Sequence, residues 1–319
     1  MELQEILNMP AQELYKLTRM DLSFADIDND NILDEEFNGL CNAIKFCNNL
    51  EELTLSSNDL ASLTPNKFEV LFKAITSLKN LKKLDLSFSH LNGITDNNNF
   101  KLLCASLSAM PNLTELDISN NYLEYLPLSQ FQELCTALQQ CANLTILDLE
   151  GNDLTFSGLH FKTLSQSLSE YKSLQQLNLS SNNNKLNELI EDSFSTFCEH
   201  IGQCALLQKL ELRYNDLYAL NLVMLFSYLS NCPHLQLIDL GDNELKETAI
   251  GNLTLALTKL NNPTREELLE LDFSNNEFNE EEIKQLQQAS ISTKITTTIN
   301  YNSSFSDKGT PPIRLKPRC

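Results

Sequence analysis

The segment from Asp26 to Phe37 carries the most suggestive chemistry in the chain. Asp26, Asp28, Asp30 and Asp34 stand at positions one, three, five and nine of a twelve-residue stretch, the spacing with which a calcium loop surrounds an ion with oxygen. Two positions break the pattern. Phe37 stands where a bidentate glutamate would close the shell, and Asn31 replaces the glycine of the sharp turn, so calcium is not expected. The nine cysteines tell a similar story. Cys41, Cys104, Cys135 and Cys198 each end a Phe-x-x-Leu/Phe-Cys phrase, and Cys47, Cys141, Cys204 and Cys232 each precede a leucine by three residues. Recurrence in two fixed slots, without the close pairs of a structural zinc site, predicts small reduced core residues. The four histidines, His90, His160, His200 and His234, fall into no nucleophile–base order, and no glycine-rich phosphate loop occurs. No catalytic residue, metal or cofactor is predicted.

The recurrence of these slots points to the elements that must position them. One phrase, L-x-x-L-x-L-x-x-N-x-L, appears nine times, opening at Leu17, Leu50, Leu81, Leu113, Leu144, Leu174, Leu207, Leu235 and Leu268, at intervals of 28 to 33 residues. Its paired leucines, such as Leu53 and Leu55, alternate with polar residues at the period of two of a half-buried strand. Asn58, Asn121, Asn152, Asn182, Asn215, Asn243 and Asn276 then turn the chain, with Ala25 and Ser89 in the other two copies. A helical pattern follows each turn, as in Phe68, Leu71, Ile75 and Leu78. The Asn-Leu-Thr/Ser sequons at Asn112, Asn143, Asn178 and Asn252 are by-products of this repeat.

Strand, asparagine turn and helix in this order resemble the ribonuclease-inhibitor-like class of leucine-rich-repeat proteins, from Leu17 to about residue 290. The resemblance implies an α/β solenoid, a horseshoe of about nine repeats plus caps, with parallel strands on the concave face and helices on the convex one. It also implies a surface that holds other proteins. The expected organisation is an N-terminal helical cap over 1–16, restarted at Pro10, the solenoid over 17–290, a capping strand over 291–301 and a flexible basic tail over 302–319. The Asn- and Gln-rich, tryptophan-free composition and irregular repeats further resemble leucine-rich-repeat effectors of Legionella-type intracellular bacteria. That likeness implies virulence by binding, and sterically inhibiting, a host protein or a fellow effector. The GTPase-activating proteins of the nuclear-transport GTPase share the repeat form, so a GTPase regulator and a two-partner scaffold stand as alternatives.

Charge narrows the partner. With 43 acidic against 23 basic residues the formal net charge is -20, which repels nucleic acid and attracts a basic protein surface. No apolar run is long enough to insert into a membrane, and the opening residues lack a signal peptide's basic start. A cytosolic monomer or heteromeric complex is expected; for an effector, that means export without a cleaved signal and arrival in host cytosol.

Comparing the copies slot by slot locates a candidate face. The position between the second and third leucines reads Asp21, Thr54, Asp85, Asp117, Asp148, Asn178, Glu211, Asp239 and Asp272, an acidic column across adjacent strands. Two positions on, a serine-dominated slot is interrupted by Glu150, Arg213 and Gly241. The next slot, small or polar elsewhere and Asp242 in the eighth copy, holds Phe24, Phe88 and Tyr214. Ile146, Leu237 and Leu269 are apolar where polar residues are expected. Arg213 and Tyr214, with Lys209, Glu211, Leu237 and Asp239 around them, form the expected anchor of a protein contact, because Arg and Tyr are frequent interface anchors.

Overall fold

A computed structural model of the chain describes residues 2–28, 30–154, 158–182, 191–217, 219–243, 245, 250–262, 265, 268–291, 295–299 and 313–315. It divides into two compact units, Met1–Asn152 and Asp153–Cys319. In the first unit, two short helices, α1 (Leu3–Leu7) and α2 (Ala11–Leu14), precede an alternation of strands and helices. These are β1 (Arg19–Asp21), α3 (Asp34–Phe46), β2 (Glu52–Thr54), α4 (Pro65–Thr76), β3 (Lys83–Asp85), α5 (Asn97–Ser108), β4 (Glu115–Asp117), α6 (Leu128–Gln140) and β5 (Ile146–Asp148). Pro10 is the N-cap of α2, where its fixed φ and missing N–H suit a helix start.

The five strands pair in parallel and in sequence order, and the register matches the repeat slot for slot: Met20 with Leu53, Leu53 with Leu84, Leu84 with Leu116 and Leu116 with Leu147. A one-residue slip would turn every one of these side chains to water, so the hydrophobic pattern fixes the register. Leu53, Leu55 and Leu60 of one repeat are fully buried, as are Leu71 and Ile75 of the helix that follows. Each such side chain contributes roughly 1.5–3 kcal/mol of transfer free energy.

The second unit follows the same plan with α7 (Leu159–Leu168), β6 (Gln176–Asn178), α8 (Glu191–Ile201), β7 (Lys209–Glu211), α9 (Ala219–Leu229), β8 (Leu237–Asp239), α10 (Ile250–Leu260), β9 (Leu269–Asp272), α11 (Glu280–Ile291) and β10 (Ile295–Ile299). Strands β6 to β10 are parallel neighbours. Within the expected tail, Ile313–Leu315 forms β11, antiparallel to β10 with Thr298 opposite Arg314; the other residues of 302–319 lie outside the described set.

The turn asparagines connect one repeat to the next. Asn121 donates from Nδ2 to the Leu86 carbonyl of the preceding repeat (2.8 Å), and its Oδ1 accepts from the Ser89 and Leu91 amides. Asn152, Asn215, Asn243 and Asn276 repeat the arrangement, and all are at most 1% exposed. Ser89, which breaks the pattern, still donates to the Leu55 carbonyl (3.4 Å), so the third copy keeps part of the link. The second cysteine slot has a related use. Cys141, Cys204 and Cys232 direct their thiols at carbonyls of the preceding repeat's helix, Leu107, Leu168 and Ile201, at 3.5–3.6 Å.

The ninth copy corrects two expectations. Arg265, not Leu268, takes the opening position: its amide bonds to the Asn262 carbonyl (3.2 Å) as that of Leu235 bonds to Cys232 (3.4 Å), and Leu268 is 52% exposed. Strand β9 is four residues long, so Leu269 falls on the same alternating face as Leu271 and is fully buried. Glu270 pairs with Leu237 in its place. Leu269 is therefore a core residue and drops out of the partner-facing patch.

Candidate protein-interaction face

The strand ends set the geometry of the face in each unit. In the first, the column's aspartates accept the amide two residues on: Ser23 donates to Asp21, Ser87 to Asp85, Ser119 to Asp117 and Glu150 to Asp148, each at 2.9 Å. In the second, Ser180 donates likewise to Asn178 and Gly241 to Asp239, both at 2.9 Å. These are Asx turns that end each strand, which gives the column a structural cause. The carboxylates still face one another. Asp117 lies in register between Asp85 and Asp148. Burial outweighs the hydrogen bonds from Ser119 and, with the charges of Asp148 and Asp85, raises its pKa to about 6.

The basic residues of the first unit's strands are engaged two residues before the column. Arg19 pairs with Glu52 at 2.8 Å, and Lys83 pairs with Glu115. Among the described residues no ion pair involves Asp85 or Asp117.

In the second unit the column is compensated from within. Arg213 Nη1 lies 3.2 Å from both oxygens of Asp239, Nη2 lies 2.6 Å from Asp242, and Asp272 is at 3.9 Å. Gly241 makes room for the guanidinium, because a Cβ there would stand 2.6 Å from the Arg213 Cζ. Lys209 pairs with Glu211 at 2.9 Å. Arg213 is therefore tied to three aspartates of its own sheet, and Tyr214 is the more exposed of the two expected anchors.

The slot before the turn asparagine is left-handed in every copy. Phe24, Ser57, Phe88, Asn120, Gly151, Ser181, Tyr214, Asp242 and Asn275 all have φ between 52° and 65°. Asn, Asp and Gly tolerate that region, whereas for other residues it costs roughly 1–2 kcal/mol. Phe24, Phe88 and Tyr214 are nonetheless 77%, 53% and 50% exposed, so burial does not offset the strain. The position after the asparagine slot is left-handed at Asp26, His90, Tyr122, Asp153, Asp216 and Glu277 but not at Asp59. His90 and Tyr122 are left-handed there, their rings stack at 6.2 Å, and His90 Nδ1 lies 3.4 Å from Asp59.

Comparison of slots singles out Phe88 and Tyr214 but passes over Tyr122 and Tyr125, although both are exposed. The sequence does carry a signal for them: both lie beside Leu123 and Leu126, which fill the core positions of that turn. Ile146 and Leu237, in the slot before the second leucine, are half-buried. The calcium-like loop is used by its own chain, since Asp28 accepts from the Asp30 and Asn31 amides and Asp34 pairs with Lys67 at 2.9 Å.

Parallel strands and helices alternating through buried asparagine turns define the α/β fold of a leucine-rich-repeat solenoid. Two leucine-rich-repeat family models match the sequence, at residues 112–134 and 140–159. The fold is similar to that of the leucine-rich repeat-containing protein LegL7 from Legionella pneumophila, with a TM-score of 0.64, 22% identity, and coverage of 96% of this chain and 89% of that one. It is also similar to human 5T4, the Wnt-activated inhibitory factor 1, with a TM-score of 0.52, 18% identity, and coverage of 97% and 92%. No curated protein matches the sequence. No helix among the described residues is long and apolar enough to cross a membrane.

Proposed function

We propose that the chain is a protein-interaction module that engages a basic protein surface through its strand faces, with Phe88 and Tyr214 as apolar anchors. The observation that carries this reading is the exposure of aromatic side chains in left-handed backbone positions that Asn, Asp, Ser or Gly fills elsewhere in the same chain. Strain of this kind clusters at functional sites, where it serves recognition rather than folding. Aromatic anchors beside polar groups are also the usual make-up of an interface centre. In the first unit Asp117, Ile146, Asp148 and Glu150 accompany Phe88; in the second Lys209, Glu211, Leu237, Asp239, Asp242 and Asp272 accompany Tyr214. Asp239, Asp242 and Asp272 act there through Arg213, whose guanidinium they hold in place.

The test replaces each ring by a residue its backbone favours. Phe88→Asn and Tyr214→Asn are expected to keep or raise the melting temperature while weakening partner capture by about tenfold or more. If both variants retain every captured partner, the face is not the binding surface. We infer further that the chain is delivered as a bacterial effector that sterically blocks its partner, a reading supported by the composition and by the fold likeness to a Legionella pneumophila protein. A translocation reporter fused to the chain is expected to become active in the host cytosol; a silent reporter rejects delivery and leaves the binding role untouched.

A further inference from the structure

The two units treat the same acidic slots differently. In the second, the aspartates at the strand ends hold a guanidinium, with Arg213 bonded to Asp239 and Asp242 at 2.6–3.2 Å and Asp272 at 3.9 Å. In the first, the corresponding Asp85 and Asp117 make no ion pair among the described residues; by the same register Ser56 stands in the place of Arg213, Ser87 in that of Gly241 and Phe88 in that of Asp242. The slots are the same by register, since Asp85 pairs with Asp117 as Asp239 pairs with Asp272. In the second unit a guanidinium is thus bonded at the first of these two slots and lies 3.9 Å from the second.

Resting on the protein-binding reading above, we propose that Asp85 and Asp117 receive an arginine side chain of the partner protein, as Asp239 bonds Arg213 at 3.2 Å with Asp272 at 3.9 Å, and that the exposed ring of Phe88, which stands where Asp242 stands in the second unit, packs on it. Arginine fits better than lysine for two reasons. A planar guanidinium addresses two carboxylates at once with paired N–H donors, and it stacks on an aromatic face. Phe88 stands three residues after Asp85, its amide bonded to the Ser119 carbonyl (3.1 Å), so ring and carboxylates share one strand end. Arg213 needs Gly241 beneath it because it lies along its own sheet. An arginine arriving from a partner comes from above and needs no such clearance over Ser87, which stands in the place of Gly241.

The substitution that tests this is tolerated by the fold. Asn178 already occupies the slot in the sixth copy and accepts the Ser180 amide at 2.9 Å, so Asp→Asn keeps the turn and removes only the charge. The probe is a fluorescein-labelled peptide alternating arginine with glycine, alongside its citrulline and lysine counterparts, titrated by fluorescence anisotropy at physiological salt. The intact chain is expected to bind the arginine peptide, to bind the lysine peptide several-fold more weakly, and to ignore the citrulline peptide. Asp85→Asn with Asp117→Asn is expected to reduce affinity by about tenfold or more, and Phe88→Ala by about fivefold. Glu280→Gln with Glu281→Gln, which removes the same charge from exposed positions of α11, is expected to change nothing.

Unchanged affinity in the Asp85/Asp117 variant, or an equal loss in the α11 variant, overturns the proposal. If the arginine peptide fails to bind while Phe88→Asn and Tyr214→Asn still abolish partner capture, the arginine site is wrong and the protein-binding reading stands. If the peptide binds as described while those variants retain all partners, the general reading falls and the site survives.

Discussion

Burial pushes the carboxyl of Asp117 up, and its titration has two separable consequences. Its pKa in the fold, about 6, lies above the ordinary aspartate value of 3.8, so the folded chain binds the extra proton between those values. That contribution to stability is complete below the unfolded pKa and disappears as pH rises through the folded one. Asp117→Asn is therefore expected to raise the melting temperature at pH 7.5, by about 2 °C or more, and to give no advantage at pH 4. The carboxylate that attracts a cation is lost in the opposite sense: binding of an arginine peptide is expected to weaken as pH falls below about 6. A pH series of melts and titrations on one preparation reads both. Arg213 illustrates how far a single sequence reaches. Its departure from the serine pattern is visible there, but its three carboxylate partners are not, because the Gly241 gap that admits the guanidinium exists only once neighbouring strands are in register.

At the scale of the element, the repeat is legible because its period, its strand alternation and its turn asparagine all report the same register. Leu53, Leu84, Leu116 and Leu147 pair as the motif aligns them. The ninth copy departs from the motif because one more apolar residue, Leu269, lengthens the strand, and nothing in the pattern distinguishes Leu268 from Leu269. The left-handed slot is not legible either: a column of Ser, Asn, Gly, Asp and aromatic residues shows its backbone conformation only after folding. Asn152 bonds the Ile118 carbonyl and the Asn121 amide of the preceding repeat and the Leu149 carbonyl of its own in full burial, so Asn152→Ala is expected to destabilise by about 1–3 kcal/mol in urea titrations. The buried thiols offer a second check on the elements. Desolvation pushes Cys41, Cys104, Cys204 and Cys232 up to about 12, so these cysteines are expected to resist a thiol reagent at pH 8 and to react once denaturant opens the repeats.

For the molecule as a whole, a net charge of -20 sets long-range attraction to cationic partners, and the strand faces decide where such a partner settles. Association is expected to slow steeply with added salt, whereas dissociation should respond mainly to Phe88 and Tyr214. The central claim is that the partner rests on the strand faces and not on the helices. Carboxyl footprinting of the chain, alone and with its captured partner, tests it most directly. Labelling of Asp85 and Asp117 is expected to fall in the complex while Glu280 and Glu281 on α11 label as before; unchanged labelling of Asp85 and Asp117, with protection of helix carboxylates instead, would contradict it.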